Sequence, residues 1–109
     1  MIYLKRGVVI NDKTHPKMFE VLYVVDHILW HNYGVKECWV TSGNDGKHMV
    51  GSMHYMGRAL DFRTKNWPMD RESHILAEIR KGLGDEFDCL LECMGTPNQH
   101  LHIEYDPEA

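Results

Sequence analysis

The last ordered-looking segment, His100-Leu-His-Ile-Glu-Tyr105, constrains the fold more than any other part of the chain. Successive side chains of a strand point to opposite faces of its sheet. His100, His102 and Glu104 therefore share one face, and Leu101, Ile103 and Tyr105 share the other. Such a strand requires a sheet with one apolar face against a core and one polar face in an open cleft. A second segment, Gly57 to Arg63, also alternates and reads as such a strand. Ala59, Asp61 and Arg63 fall on one side, Leu60 and Phe62 on the other. Two strands of this kind can present their polar faces to one cleft and bring distant residues together.

The rest of the chain supplies the core. Met18, Val21, Leu22, Val25, Ile28 and Leu29 recur at helical spacing, with Thr14 as the expected N-cap, Pro16 in the first turn and Gly34 as the stop. Ile75, Leu76, Ile79 and Leu83 mark a second helix, with Asp70 as its cap and Gly82 or Gly84 as its end. Residues 37–41 read as a short buried strand, 87–92 as a further strand, and the polar, glycine-rich stretch 42–51 as a loop. The expected class is α+β, a small and mostly antiparallel sheet with two main helices, in one domain spanning residues 1–109.

Composition removes several functions. The 109 residues carry a net charge of -4 and no basic stripe, so nucleic acid is not an expected partner. No apolar run approaches the roughly 20 residues that span a bilayer, so membrane insertion is not expected, and the N-terminus has no signal-peptide pattern. Three cysteines without a CxxC pair argue against a disulfide framework and against a thiolate zinc site. Cys89, in an apolar run, reads as a buried thiol rather than a nucleophile. Eight histidines are many for this length and point instead to metal chemistry. His54, Asp61 and the pair His100/His102 offer enough imidazole and carboxylate for a three-ligand zinc site whose fourth position stays open, the arrangement of a catalytic rather than a structural zinc.

Ser52, His54, Gly57, Ala59 and Asp61 form an SxHxxGxAxD motif, followed downstream by HxH. Together these resemble the signature of the zinc peptidases that include D-Ala-D-Ala carboxypeptidases, phage L-alanyl-D-glutamate peptidases and the hedgehog signalling domain. The flanks Val40-Thr-Ser-Gly43 and Asp61-Phe-Arg-Thr64 look like the small phage members, and the resemblance covers roughly residues 14 to 107. It implies a hedgehog/DD-peptidase-like fold, a Zn2+ held by His54, Asp61 and His102, and hydrolysis of peptidoglycan stem peptides by an endopeptidase or a carboxypeptidase. It also implies a monomer that is made in the cytoplasm of a phage-infected bacterium and acts on the wall after release or from a virion.

His48 looks similar to a histidine that lies near the metal in the hedgehog branch, where it would stabilise the oxyanion. The general base is open between two acids. Glu92 corresponds to a glutamate at the end of the strand before HxH, although the intervening loop is longer than usual; Glu104 shares the face of His102. The acid of the endolysin branch is replaced by Gln99, and an amide cannot serve as a base. His100 would orient water or stabilise developing charge. Arg58, Arg63 and Ser52 are candidate substrate contacts. The alternative function is a non-catalytic, hedgehog-like zinc module that binds another protein. Calcium sites are not expected, because residues 42–48 carry a single carboxylate, Asp45.

Overall fold

The computed structural model describes residues 1–45 and 52–107. Its elements are strand β1 (Ile2–Leu4), helix α1 (Lys17–Tyr33), strands β2 (Cys38–Ser42) and β3 (Ala59–Arg63), helix α2 (Glu72–Leu83), and strands β4 (Phe87–Glu92) and β5 (His100–Tyr105). The strands form one five-stranded sheet in the order β1-β2-β3-β5-β4. Pairings β2–β3, β3–β5 and β4–β5 are antiparallel, as expected, but β1 runs parallel to β2. The sheet is therefore mixed. A parallel pair needs a long crossover connection, and α1 lies between its two strands. The strand β1 escapes sequence reading because it has only three residues, two of them exposed. Its place in the sheet comes from the crossover, not from its own pattern.

The apolar halves of β3 and β5 do what their alternation predicts. Leu60, Phe62, Leu101 and Ile103 are at most 1 % exposed and join Val21, Val25 and Leu29 of α1 and Ile75 and Ile79 of α2 in one core. Both helices therefore cover the same face of the sheet, and the face carrying Asp61, His100, His102 and Glu104 is left free of them. Burying a side chain the size of Phe or Leu contributes about 1.5–3 kcal/mol, so the register of β3 and β5 is set by the core. A slip of one residue would turn every one of these side chains to the wrong face.

Helix ends differ from the sequence reading at two points. Thr14 does not cap α1: its hydroxyl oxygen accepts the Asn11 N–H at 3.1 Å in the preceding turn. Pro16 occupies the N-cap position instead, and the ring Nδ1 of His15 accepts the Lys17 N–H at 3.1 Å. Asp70 does not cap α2 either. It sits at φ 62°, a left-handed conformation that a short polar side chain tolerates, and Arg71 takes the N-cap position. The stops are glycines. Gly34, at φ 68°, donates to Trp30 O, and Val35 donates to Leu29 O, closing α1. Gly84 ends α2. Gly82 lies inside α2, where a Cβ would stand 3.0 Å from Val24 Cγ1 of α1.

Gly57 has the most demanding place in the fold. It adopts φ +69°, and a Cβ there would lie 2.1 Å from the Lys13 carbonyl oxygen. Its own carbonyl accepts the His15 N–H at 2.7 Å. The turn that carries the motif is thus pressed against the segment leading into α1. Gly57→Ala should cost about 2–4 kcal/mol of stability, since backbone strain and a steric clash act together. Gly34→Ala meets no atom within 4 Å and should cost only about 1 kcal/mol, the strain of a left-handed non-glycine residue. Urea denaturation of the two variants measures the difference.

Candidate metal centre

The sheet register assembles the centre. Asp61 on β3 stands opposite His102 on β5, and Glu92 on β4 stands opposite His100. Directly opposed residues of an antiparallel pair have Cβ atoms about 4.5–5.5 Å apart, so two local pairings place four functional side chains on one face. His54 arrives from a different element. A series of tight turns over residues 52–58 carries it, and the Ser52 Oγ accepts the His54 N–H at 3.2 Å to fix the first of them. Ser52 thus shapes the presentation of His54.

The ring nitrogens are sorted by their partners. His54 is only 4 % exposed, and its Nδ1–H donates to the Gly43 carbonyl at 2.9 Å. Its Nε2 is thereby turned toward Asp61 Oδ1, 3.3 Å away. His102 presents Nδ1 to the same oxygen at 2.8 Å and Nε2 to Glu104 Oε1 at 2.8 Å. One nitrogen of each ring faces Asp61, and the other is held by a carbonyl or a carboxylate. That is the hydrogen-bonding habit of metal-ligating histidines, whose outer partner fixes the tautomer and the ring orientation. His54, Asp61 and His102 offer ligand atoms that all lie within 4.8 Å of one another. Neighbouring ligands in a tetrahedral zinc shell with bonds near 2.0–2.1 Å stand about 3.3 Å apart, so the donor set and its spacing fit zinc.

Glu92 and Glu104 occupy different positions around His102. Glu104 accepts from its far nitrogen, whereas Glu92 Oε1 lies 3.9 Å from its near one, Nδ1, and 2.9 Å from His100 Nε2. His100 also approaches Asp61 Oδ2, at 3.9 Å, and its Nδ1–H donates to Asn98 O at 2.7 Å. Asp61, Glu92 and His100 form a second group whose ligand atoms meet the same 4.8 Å criterion. The long loop between Glu92 and His100 is taken up in turns. Gln99 ties it down by accepting the Gly95 N–H and donating to Thr64 Oγ1, both at 3.1 Å. Gln99 therefore holds the loop rather than facing the donor set.

The other sequence candidates fall into place unevenly. Arg63 shares the open face, opposite His100, with its guanidinium 4.8 Å from the centre of the Trp39 ring. Arg58 lies elsewhere, over the Tyr105 ring. His48 is outside the described residues. Asp45 accepts N–H groups of Val9 and Gly43, at 2.7 and 2.8 Å, and so braces the loop that holds His54. Burial pushes the Cys89 thiol up to about 11, with Arg80 opposing and Asp88 adding to the shift. That the Gly43 carbonyl holds His54 follows from the loop path, which no local pattern encodes; alternation puts Glu104 on the face of His102 but leaves open which ring nitrogen it meets. No protein-family model, curated protein or solved structure matches the chain.

Electrostatics bind the pair Asp61–His102 tightly in the metal-free protein. Burial alone would raise the Asp61 pKa, but hydrogen bonds from His102 and His54, and their charges, hold it well below the usual carboxylate range. Burial alone would lower the His102 pKa, but hydrogen bonds to Asp61 and Glu104, with the charges of Asp61 and Glu92, raise it to about 9. The depressed Asp61 contributes stability above its ordinary value of 3.8, lost as the pH falls. The raised His102 contributes stability in full below 6.5, lost as the pH rises through about 9. With chelator present, stability should therefore be greatest between about pH 4 and 6.5 and fall by about 2 kcal/mol toward pH 10. A metal ion taken up at His102 Nδ1 would have to displace its proton, so the affinity for added zinc should climb over the same alkaline range. Urea melts across pH, with chelator and with zinc, test both; a flat profile from pH 6 to 10 in chelator would contradict the pairing.

Proposed function

We propose that the chain is a zinc metallopeptidase that hydrolyses peptide bonds of bacterial peptidoglycan stem peptides. The observation that carries this reading is the convergence of His54 Nε2, Asp61 Oδ1 and His102 Nδ1 on one open face, with Glu92 Oε1 3.9 Å from His102 Nδ1. The motif around His54 and Asp61 resembles that of wall-peptide peptidases, which supplies the substrate class. Zinc, when bound, would polarise the scissile carbonyl and lower the pKa of water at the open position.

The chain's own residues do the rest. Glu92 is 43 % exposed and stands at the mouth of the site, where it can take a proton from attacking water and pass it to the leaving amine. His100, hydrogen-bonded to Glu92, steers that carboxylate and stands beside the position where the oxyanion develops. Glu104 keeps the proton of His102 on Nε2, leaving the Nδ1 lone pair for the metal. That role removes Glu104 from competition for the base. Among the described residues, no helix is long and apolar enough to cross a membrane, in keeping with a protein that works from the aqueous side of the wall.

Glu92→Gln should retain stoichiometric zinc and lose about 10²–10⁴-fold in the rate of peptide release from purified cell walls. Zinc content by elemental analysis and muropeptide mass spectrometry read the two quantities. Full activity in this variant would place the base elsewhere. Zinc bound without release from any wall type would favour the non-catalytic module. His102→Ala should lose zinc, and Glu104→Gln should weaken it about 10–100-fold while leaving all three ligands in place. Competition with a chromophoric chelator measures that loss.

A further inference from the structure

Helix α1 carries a separate set of imidazoles, across the core from the candidate centre. Its buried stripe, Met18, Val21, Val25, Ile28 and Leu29, packs into the core beneath the apolar face of the sheet. Its outer face is left to solvent, and His27 and His31 are both exposed there. Four residues apart, they stand one helical turn from each other on one face. Their rings stack with centroids 4.2 Å apart and planes inclined by 26°. The Tyr23 ring continues the column one turn earlier, 5.7 Å from that of His27. Among the described residues, no hydrogen bond or ion pair engages either imidazole. Neither histidine belongs to a group of three or more metal-binding side chains among those residues. What the helix offers is therefore a pair.

Two histidines one turn apart on a helix can take the same ion. The backbone keeps both side chains on one face, so an ion bound by one nitrogen meets the second with little further ordering of the chain. At metal–nitrogen bonds of about 2.0–2.1 Å, ligands at right angles stand about 2.9 Å apart. Rings whose centroids are already 4.2 Å apart reach that separation by turning about their exposed side-chain torsions. The buried stripe holds the helix itself in place. Imidazole suits copper, nickel and zinc, and copper binds most tightly of the three.

We propose that His27 and His31 form a second, peripheral site for a divalent transition-metal ion. Two imidazoles of α1 hold the ion, and its remaining positions stay open to water. The site does not depend on the peptidase reading, shares no residue with the candidate centre and draws on no carboxylate. An ion there clamps one turn near the end of α1, and its small number of protein ligands leaves it exchangeable.

Copper titration of the full chain, after saturation with zinc, tests the site by amide NMR. Cu2+ is paramagnetic and broadens the signals of nearby amides. Signals from residues 23–34 should broaden at lower copper than those of β3 and β5. His27→Gln and His31→Gln should each weaken copper binding at α1 on the order of 10²-fold, because each removes the second point of attachment. The double variant should be hardly weaker than either single one, since one lost imidazole already destroys the chelate. These side chains are exposed, and thermal melts of the variants check their folding. Nickel should act on the same residues at higher concentration than copper. Broadening confined to β3 and β5, where copper would replace zinc at His54, Asp61 and His102, overturns the proposal. A folded single variant that keeps the parent affinity for copper at α1 overturns it equally.

Discussion

The antiparallel pairing of β3 with β5 is the constraint on which the rest of the molecule depends. It places Leu60, Phe62, Leu101 and Ile103 in the core and, by the same pleat, sets Asp61 against His102 on the opposite face. Folding energy and the geometry of the candidate centre are therefore fixed by a single register. The apolar side is worth several kcal/mol. The core can thus hold a cluster of histidines and carboxylates that would otherwise relax away from one another. The strand β4 extends the same logic by one step, adding Glu92 beside His100 without any further device.

A sheet supplies ligands only along its own face, and a metal needs one from above. His54 answers that need from a turn, where no register guides it. Its position is held by the Gly43 carbonyl on its ring, by Ser52 on its backbone and by the close approach of Gly57 to residues 13–15. Gly43 is equally confined, since a Cβ on it would stand 2.4 Å from the Val9 carbonyl oxygen. The small residues of the motif and its flank are thus steric permissions for backbone contact. They act on the candidate donor set only through the path they allow the chain.

Legibility from the sequence followed the range of the forces involved. The strands β4 and β5 matched their expected limits residue for residue, β5 because alternation over six positions is a strong local signal and β4 because an apolar run ends at Glu92. The buried stripes of both helices were equally plain. Caps were misread at Thr14 and Asp70, where a neighbouring turn competes for the side chain or fixes the backbone in a left-handed well. The strand β1 was missed because three residues carry no periodicity and its parallel partner lies beyond a helix. In the candidate site, the convergence of Asp61, His100 and His102 could be read from alternation, and His54 from the motif. The division of labour between Glu92 and Glu104 could not, since it depends on which nitrogen of His102 each acid faces.

The contacts of Gly43 and Gly57 with the backbone near Val9 and Lys13 have a consequence for how this domain tolerates alteration. The stretch from Val8 to His15 contributes no ligand to the candidate centre, yet it is the wall against which the His54 loop is cast. An insertion or a replaced linker there would behave as a lesion of the candidate centre, though sequence inspection would class it as a harmless change in a surface segment. By contrast, the turn at residues 94–98 is exposed throughout, and grafts there meet a boundary of the cleft rather than its mould. Anyone recombining this domain with others would do well to treat residues 8–15 and 43–61 as one heritable block, passed on together or not at all.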